Sequence, residues 1–261
     1  MSSLSALISS APSWSVVIAL LIIGALFGVI NTLAGGGSIL SLPALLFLDV
    51  APHAANATNR VAGVTQTVSA VIGFWRGGAL SKDGLWVLIF YALLGGFFGP
   101  WVSLQMNQES MRVCIQICLA LIALFTLFAP ARLFQDPPPP PKSKAIQHLI
   151  GFLVAFYGGF LQAGIGLVSL YYLRFICGYD LVKGTAVKTL FILSLTIPAL
   201  GVFIWHGEVQ WLTGSCLALG SIGGAWFGVR LSLSPKGSKI IRIALPITAI
   251  LMVMSLMVKS L

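Results

Sequence analysis

The chain has 261 residues, 58% of them hydrophobic and 8% charged, with a mean hydropathy of +1.00. A water-soluble domain carries about a quarter charged residues, and no charged side chain precedes Asp49 here, so a soluble fold is excluded and a polytopic, all-α membrane protein is expected. The net charge of +9 is scattered singly between apolar runs, which is the positive-inside pattern and not the clustered, solvated face that nucleic acid requires.

No Lys or Arg precedes the first apolar run, so no cleavable signal peptide is expected and that run is kept as a membrane segment. As one helix, residues 14–48 would extend roughly 50 Å, against a hydrocarbon core of about 30 Å. The run must therefore break, and Gly35-Gly36-Gly37 is where a chain without Cβ atoms turns. A full helix followed by a short one over 38–48 is expected. Further segments are expected over 61–75, 85–104 and 111–128. Asp136, Pro137 to Pro141, Lys142 and Lys144 follow, and such a proline run favours an extended polyproline II strap over residues 136–144. Beyond it the order recurs: a helix over 147–163, a break at Gly164-Ile165-Gly166, a short segment over 167–176, and segments over 190–205, 209–231 and 240–258.

The recurrence has a fixed offset. Gly35 and Gly164 are 129 residues apart (164 − 35), and the same offset joins Gly37 to Gly166, Gly78 to Gly207, Gly95 to Gly224, Gly99 to Gly228 and Ser103 to Ser232. This marks a duplication, with membrane repeats at 1–135 and 145–261, an architecture common among transporters. Loop charges choose the topology. If each broken run folds back as a hairpin, twelve Lys and Arg fall on one side and three on the other; if it crosses once, the split is nine to six. The positive-inside rule favours the first. The expected fold is therefore two inverted repeats of five segments, each opening on a Gly-broken helical hairpin, with both termini outside and the linker cytoplasmic.

Polar residues inside a bilayer are expensive and become candidates by default. The first group is Asn31, Gly35, Gly36, Gly37 and Ser38, with Gly164 and Gly166 at the second break. A helix that starts at such a break points free N–H groups and a positive dipole end into the membrane, which suits an anion. Close helix packing is the alternative use of the glycines. The second group is Asn59 and Arg60, which the offset matches to Lys188 and Thr189, so each half holds one cation and one small polar residue at adjoining positions, in swapped order. A guanidinium grips an oxyanion with two parallel bonds and an ammonium adds a point charge; snorkelling to headgroups is the alternative. Gln162 and Gln66 offer amide hydrogens within apolar runs, or satisfy broken backbone there. His53 is expected at the membrane surface and Trp205-His206 in an interfacial belt. The six acids all fall at segment ends or in loops, which argues for an anionic substrate over a cation. Cys114, Cys118, Cys177 and Cys216 lack nearby His or acid and are expected to be core side chains. No metal, cofactor or enzymatic activity is expected, since no buried nucleophile or acid–base pair is visible.

The stretch Gly28 to Ser41, with Ala34-Gly35-Gly36-Gly37-Ser38, resembles the first signature of the TauE/SafE sulfite exporter family. Pro52-His53-Ala54-Ala55-Asn56-Ala57-Thr58-Asn59-Arg60 is similar to the segment that follows it there. Gly164-Ile165-Gly166, Val182 to Thr189, and Gly207-Glu208-Val209-Gln210-Trp211 are similar to second-half counterparts, with Ile165 in place of a middle glycine. The resemblance covers nearly the whole chain. It implies secondary transport, usually outward across the bacterial inner membrane, of sulfur-containing anions such as sulfite, sulfoacetate and related organosulfonates. Import of the same or related anions, or a non-transporting scaffold role, are the alternatives; matched helix breaks deep in a bilayer favour transport. The partners expected are a small anion and membrane lipid, with a homodimer admitted as the assembly.

Overall fold

Two start signals set the longest helices. Pro52 occupies the first turn of one, where its missing N–H is no loss. Asp180 caps the other, its carboxylate accepting from the Val182 and Lys183 amides at 3.0 and 2.9 Å. The computed structural model describes residues 13–80, 85–128, 143–241, 243 and 244. In chain order the helices are α1 (Trp14–Leu33), α2 (Ser38–Phe47), α3 (Pro52–Arg76), α4 (Leu85–Leu104), α5 (Gln108–Phe128), α6 (Lys144–Phe160), α7 (Ile165–Tyr171), α8 (Leu181–Trp205) and α9 (Trp211–Leu233). A π-helical turn, Tyr172–Ile176, extends α7, and a further helix begins at residue 237. Among the described residues α1, α4, α8 and α9 are long and apolar enough to cross a membrane.

Both breaks fall where the glycines require. Gly35 (φ +85°) and Gly164 (φ +63°) take the left-handed backbone that ends one helix and starts the next. The helices expected over 61–75 and 190–205 begin nine residues earlier, at Pro52 and Leu181. Hydropathy placed Asn56 to Arg60 and Lys183 to Lys188 ahead of the membrane segments; most of them lie inside the bundle, facing protein instead of lipid, and the helix runs through them. Most of the segment expected over 240–258, and the 136–144 strap except Ser143 and Lys144, lie outside the described residues.

The 129-residue offset recurs in the backbone. It carries Pro52–Arg76 onto Leu181–Trp205 and the end of α4 onto the end of α9. All six positive-φ residues described pair under it: Gly35 with Gly164, Asp49 with Gly178, Gly78 with Gly207. Packing recurs as well. Helix α9 lies along α1 and α3, and α4 lies along α6 and α8. Small residues let these backbones touch: a Cβ at Gly95 or Gly99 would overlap the α6 backbone at Ala155–Phe156 or Gly159–Phe160, and one at Gly220 or Gly224 would overlap α1 at Leu21 or Ala25.

Candidate functional site

Four helix ends meet where the breaks cross. The C-termini of α1 and α6 and the N-termini of α2 and α7 converge, and the approach is so close that a Cβ on Gly35 would strike the Gly166 backbone, and one on Gly166 would strike Gly35. Ser38 fastens the crossing: its hydroxyl donates to Gln162 O at 3.0 Å and accepts from Gly164 N at 3.1 Å. A Cβ on Gly37 would collide with Phe27 O and the Asn31 side chain, so this glycine seats α2 against α1. Gly36 is buried in the same turn.

Helix α3 brings Asn59 and Arg60 to this centre, and α8 brings Lys188. Arg60 is fully buried and donates from Nη1 to Gly158 O (3.1 Å) and from Nη2 to Gly159 O (2.6 Å), with Phe203 of α8 under its guanidinium at 5.0 Å. Lys188 is equally buried and donates from Nζ to Asn31 O and Thr32 O, each at 3.2 Å. Each cation thus sits on the C-terminal carbonyls of the opposite half's broken helix, where the dipole is negative. Neither snorkels to a headgroup. Carbonyl dipoles do not neutralise a full charge, and no described Asp or Glu is buried. The two basic side chains therefore stand at the crossing with no carboxylate partner among the described residues.

Two chains of side-chain hydrogen bonds run beside these groups. Ser41 Oγ donates to Asn59 Oδ1, Asn59 Nδ2 to Gln162 Oε1 (3.2 Å), and Gln162 Nε2 reaches Thr196 Oγ1 (3.5 Å). On the Lys188 side, Asn31 Nδ2 donates to Gln66 Oε1 (2.6 Å) and Gln66 Nε2 to Thr32 Oγ1 (2.9 Å). The structure thus assembles Asn31, Gly35, Gly36, Gly37, Ser38, Asn59, Arg60, Gln162, Gly164, Gly166 and Lys188 at one place. Thr189 is buried, but its hydroxyl turns back to Thr185 O at 2.9 Å and does not join them. His53 is buried within the protein: it is 4% exposed, with Nε2 3.0 Å from Met106 O.

Thr32, Ser41 and Thr196 belong to the centre without having been singled out in the sequence. Short hydroxyl side chains inside apolar helices mostly bond their own backbone, so their type gave no signal. Thr196 is the offset equivalent of Thr67 (196 − 129), the one hint available. Cavities of about 500, 350 and 370 Å³ lie elsewhere, and no candidate residue lines them. The residues of the crossing are buried.

The sequence profile of the Sulfite exporter TauE/SafE family matches residues 20–256, which spans both broken hairpins and the helices that bring the two cations. The chain belongs to this family. A "Probable membrane transporter protein YfcA" of Escherichia coli K12 is 32% identical to it over 248 residues, covering 92% of this chain and 91% of that protein. A "Probable membrane transporter protein" of Haemophilus influenzae is 26% identical over 224 residues, covering 84% and 86% of the two chains. A "Probable membrane transporter protein ORF9" of a Sinorhizobium species is 26% identical over 232 residues, covering 88% of each. For a TauE/SafE member, then, the buried polar crossing lies within a multi-pass membrane protein of a transporter family.

Proposed function

We propose that the chain moves small sulfur oxyanions, sulfite or organosulfonates such as sulfoacetate, outward across the bacterial inner membrane. It does so by alternating access of two inverted repeats around the crossing. One observation supports this above the others: Arg60 and Lys188 are wholly buried, face only carbonyl dipoles and an aromatic ring, and have no described carboxylate partner. Burying unneutralised charge is expensive, and an entering oxyanion relieves that cost at both residues. The N-terminus of α2 adds a favourable dipole end. Asn59, beside Arg60 in the chain, and Gln162 bring two hydrogen-bonded amide groups to the crossing.

The inverted arrangement is supported by the exchange of partners. Arg60 of the first half holds the end of α6, and Lys188 of the second holds the end of α1. Opening toward one face then separates one such contact while the other stays made. The decisive experiment is calorimetry on the purified chain against sulfite, sulfoacetate, taurine, sulfate and simple carboxylates. Sulfur oxyanions should bind, and the binding should weaken when either cation is replaced. Binding of carboxylates alone, or of none of the set, would overturn the substrate class.

A further inference from the structure

Helix α3 carries a line of buried polar groups that the crossing does not use up. His53, Asn56 and Arg60 lie within about 60° of one helix face at 100° per residue. They are 4%, 0% and 0% exposed, and each keeps one side-chain atom with no protein partner among the described residues: His53 Nδ1, Asn56 Oδ1 and Arg60 Nε. Their other atoms are tied to a single seam. His53 Nε2 meets Met106 O (3.0 Å), Asn56 Nδ2 donates to Phe160 O (3.0 Å), and Arg60 holds Gly158 O and Gly159 O. The seam therefore runs between α3, the end of α6 and the α4–α5 connection. At its outer end the His53 amide meets Gln108 Oε1 (3.4 Å), and the residues flanking Gln108, Asn107 and Glu109, line an open cavity of about 500 Å³.

Buried polar atoms in native proteins are paired, and where protein supplies no partner, water does. One unpaired atom is an exception; three in succession on one helix face, starting beside an open cavity and ending on a buried cation, make a path. The offset gives its equivalents in the other half as Val182, Thr185 and Thr189. Val182 has no polar side-chain atom, and both threonine hydroxyls are used by their own helix, on Leu181 O (2.7 Å) and Thr185 O (2.9 Å). Among the described residues, α8 carries no such line at the equivalent positions.

We propose that His53, Asn56 and Arg60 line a hydrated half-path, binding water in file and admitting a small hydrated oxyanion from the Gln108 end of α3 to the Arg60 guanidinium, with no counterpart along α8. This rests on the transport reading for its purpose, but not for its existence.

The experiment compares single cysteines at equal burial on opposite faces of α3. His53→Cys and Asn56→Cys lie on the line; Ala55→Cys and Ala62→Cys, both 0% exposed in the native chain, lie on the far side. Full-length protein in membranes is treated with a small, uncharged, water-soluble thiosulfonate and each site is read by mass spectrometry, so the native cysteines stay in place. A thiol in water ionises more readily than one in apolar packing, so line positions should react about tenfold faster or more. Equal or slower reaction at His53→Cys and Asn56→Cys would overturn the half-path. Should those variants fail to fold, hydroxyl-radical labelling of the native chain decides: His53 oxidised far above other buried side chains supports it, and His53 protected like the core refutes it. No transported anion enters either measurement, so failure here leaves the anion reading intact, and the calorimetry tests that reading separately.

Discussion

Replacing Lys188 by Met separates the two roles a buried cation can have. The side chain keeps most of its length and loses its charge. Nζ makes two bonds of 3.2 Å, to Asn31 O and Thr32 O, from a fully buried position. Two such charge-assisted bonds are worth about 1.5–3 kcal/mol each, but desolvating an ammonium costs several kcal/mol, so the net loss of folding stability should be about 2 kcal/mol or less. An anion has no such offset. At about 4 Å from Nζ and an effective dielectric near 20, the attraction is about 4 kcal/mol, which at roughly 1.4 kcal/mol per decade is close to a thousandfold in affinity. Thermal unfolding and calorimetric titration with sulfite on the same preparation measure both. The expected result is a variant that folds nearly as well as the native chain and binds sulfite two to three decades more weakly, as estimated from the same attraction. A variant of much reduced stability whose folded fraction binds sulfite with native affinity would refute the reasoning and leave Lys188 as a helix cap alone.

Three further outcomes are expected. Gly166→Ala should destabilise the chain by about 1–3 kcal/mol, the usual cost of overpacking, because its Cβ meets Gly35, whereas Gly201→Ala meets nothing within 4 Å and should be neutral; thermal unfolding of both variants checks this. In proteoliposomes, outward flux of a singly charged sulfonate should follow an imposed voltage, with about 2.3 kcal/mol available per 100 mV; flux that ignores voltage and follows a pH gradient would exclude uncoupled export. On intact cells an impermeant thiol reagent should label Ser110→Cys and spare Ala145→Cys, both exposed positions; the opposite pattern would invert the topology inferred from loop charges.

Much of the architecture was legible because membrane sequences obey few rules strictly. A run too long for one crossing had to break, and only glycine relieves the backbone there, so both breaks were readable to within a residue or two. The fixed offset found in the glycines returned in the helix ends and in every described positive-φ pair. The starts of α3 and α8 were misread because hydropathy treats Asn56, Asn59, Arg60 and Lys188 as leaving the membrane. The signals that begin those helices, Pro52 and Asp180, were present in the sequence and were outweighed by that polarity.

What the sequence determined by itself was composition, period and the identity of the unusual residues: an apolar chain, two glycine breaks, and a cation at adjoining positions of the two repeats, Arg60 and Lys188. What only the tertiary structure decided was the partner of each. That Arg60 meets Gly158 and Gly159 while Lys188 meets Asn31 and Thr32, across separations of 98 to 157 residues, depends on α9 packing along α1 and α4 along α6. Such contacts come from backbones brought together by small residues, and nothing local to either cation specifies them. The same holds for the line from His53 to Arg60. Its spacing could be read from the chain, but whether its atoms are paired depends on which carbonyls the opposite half presents.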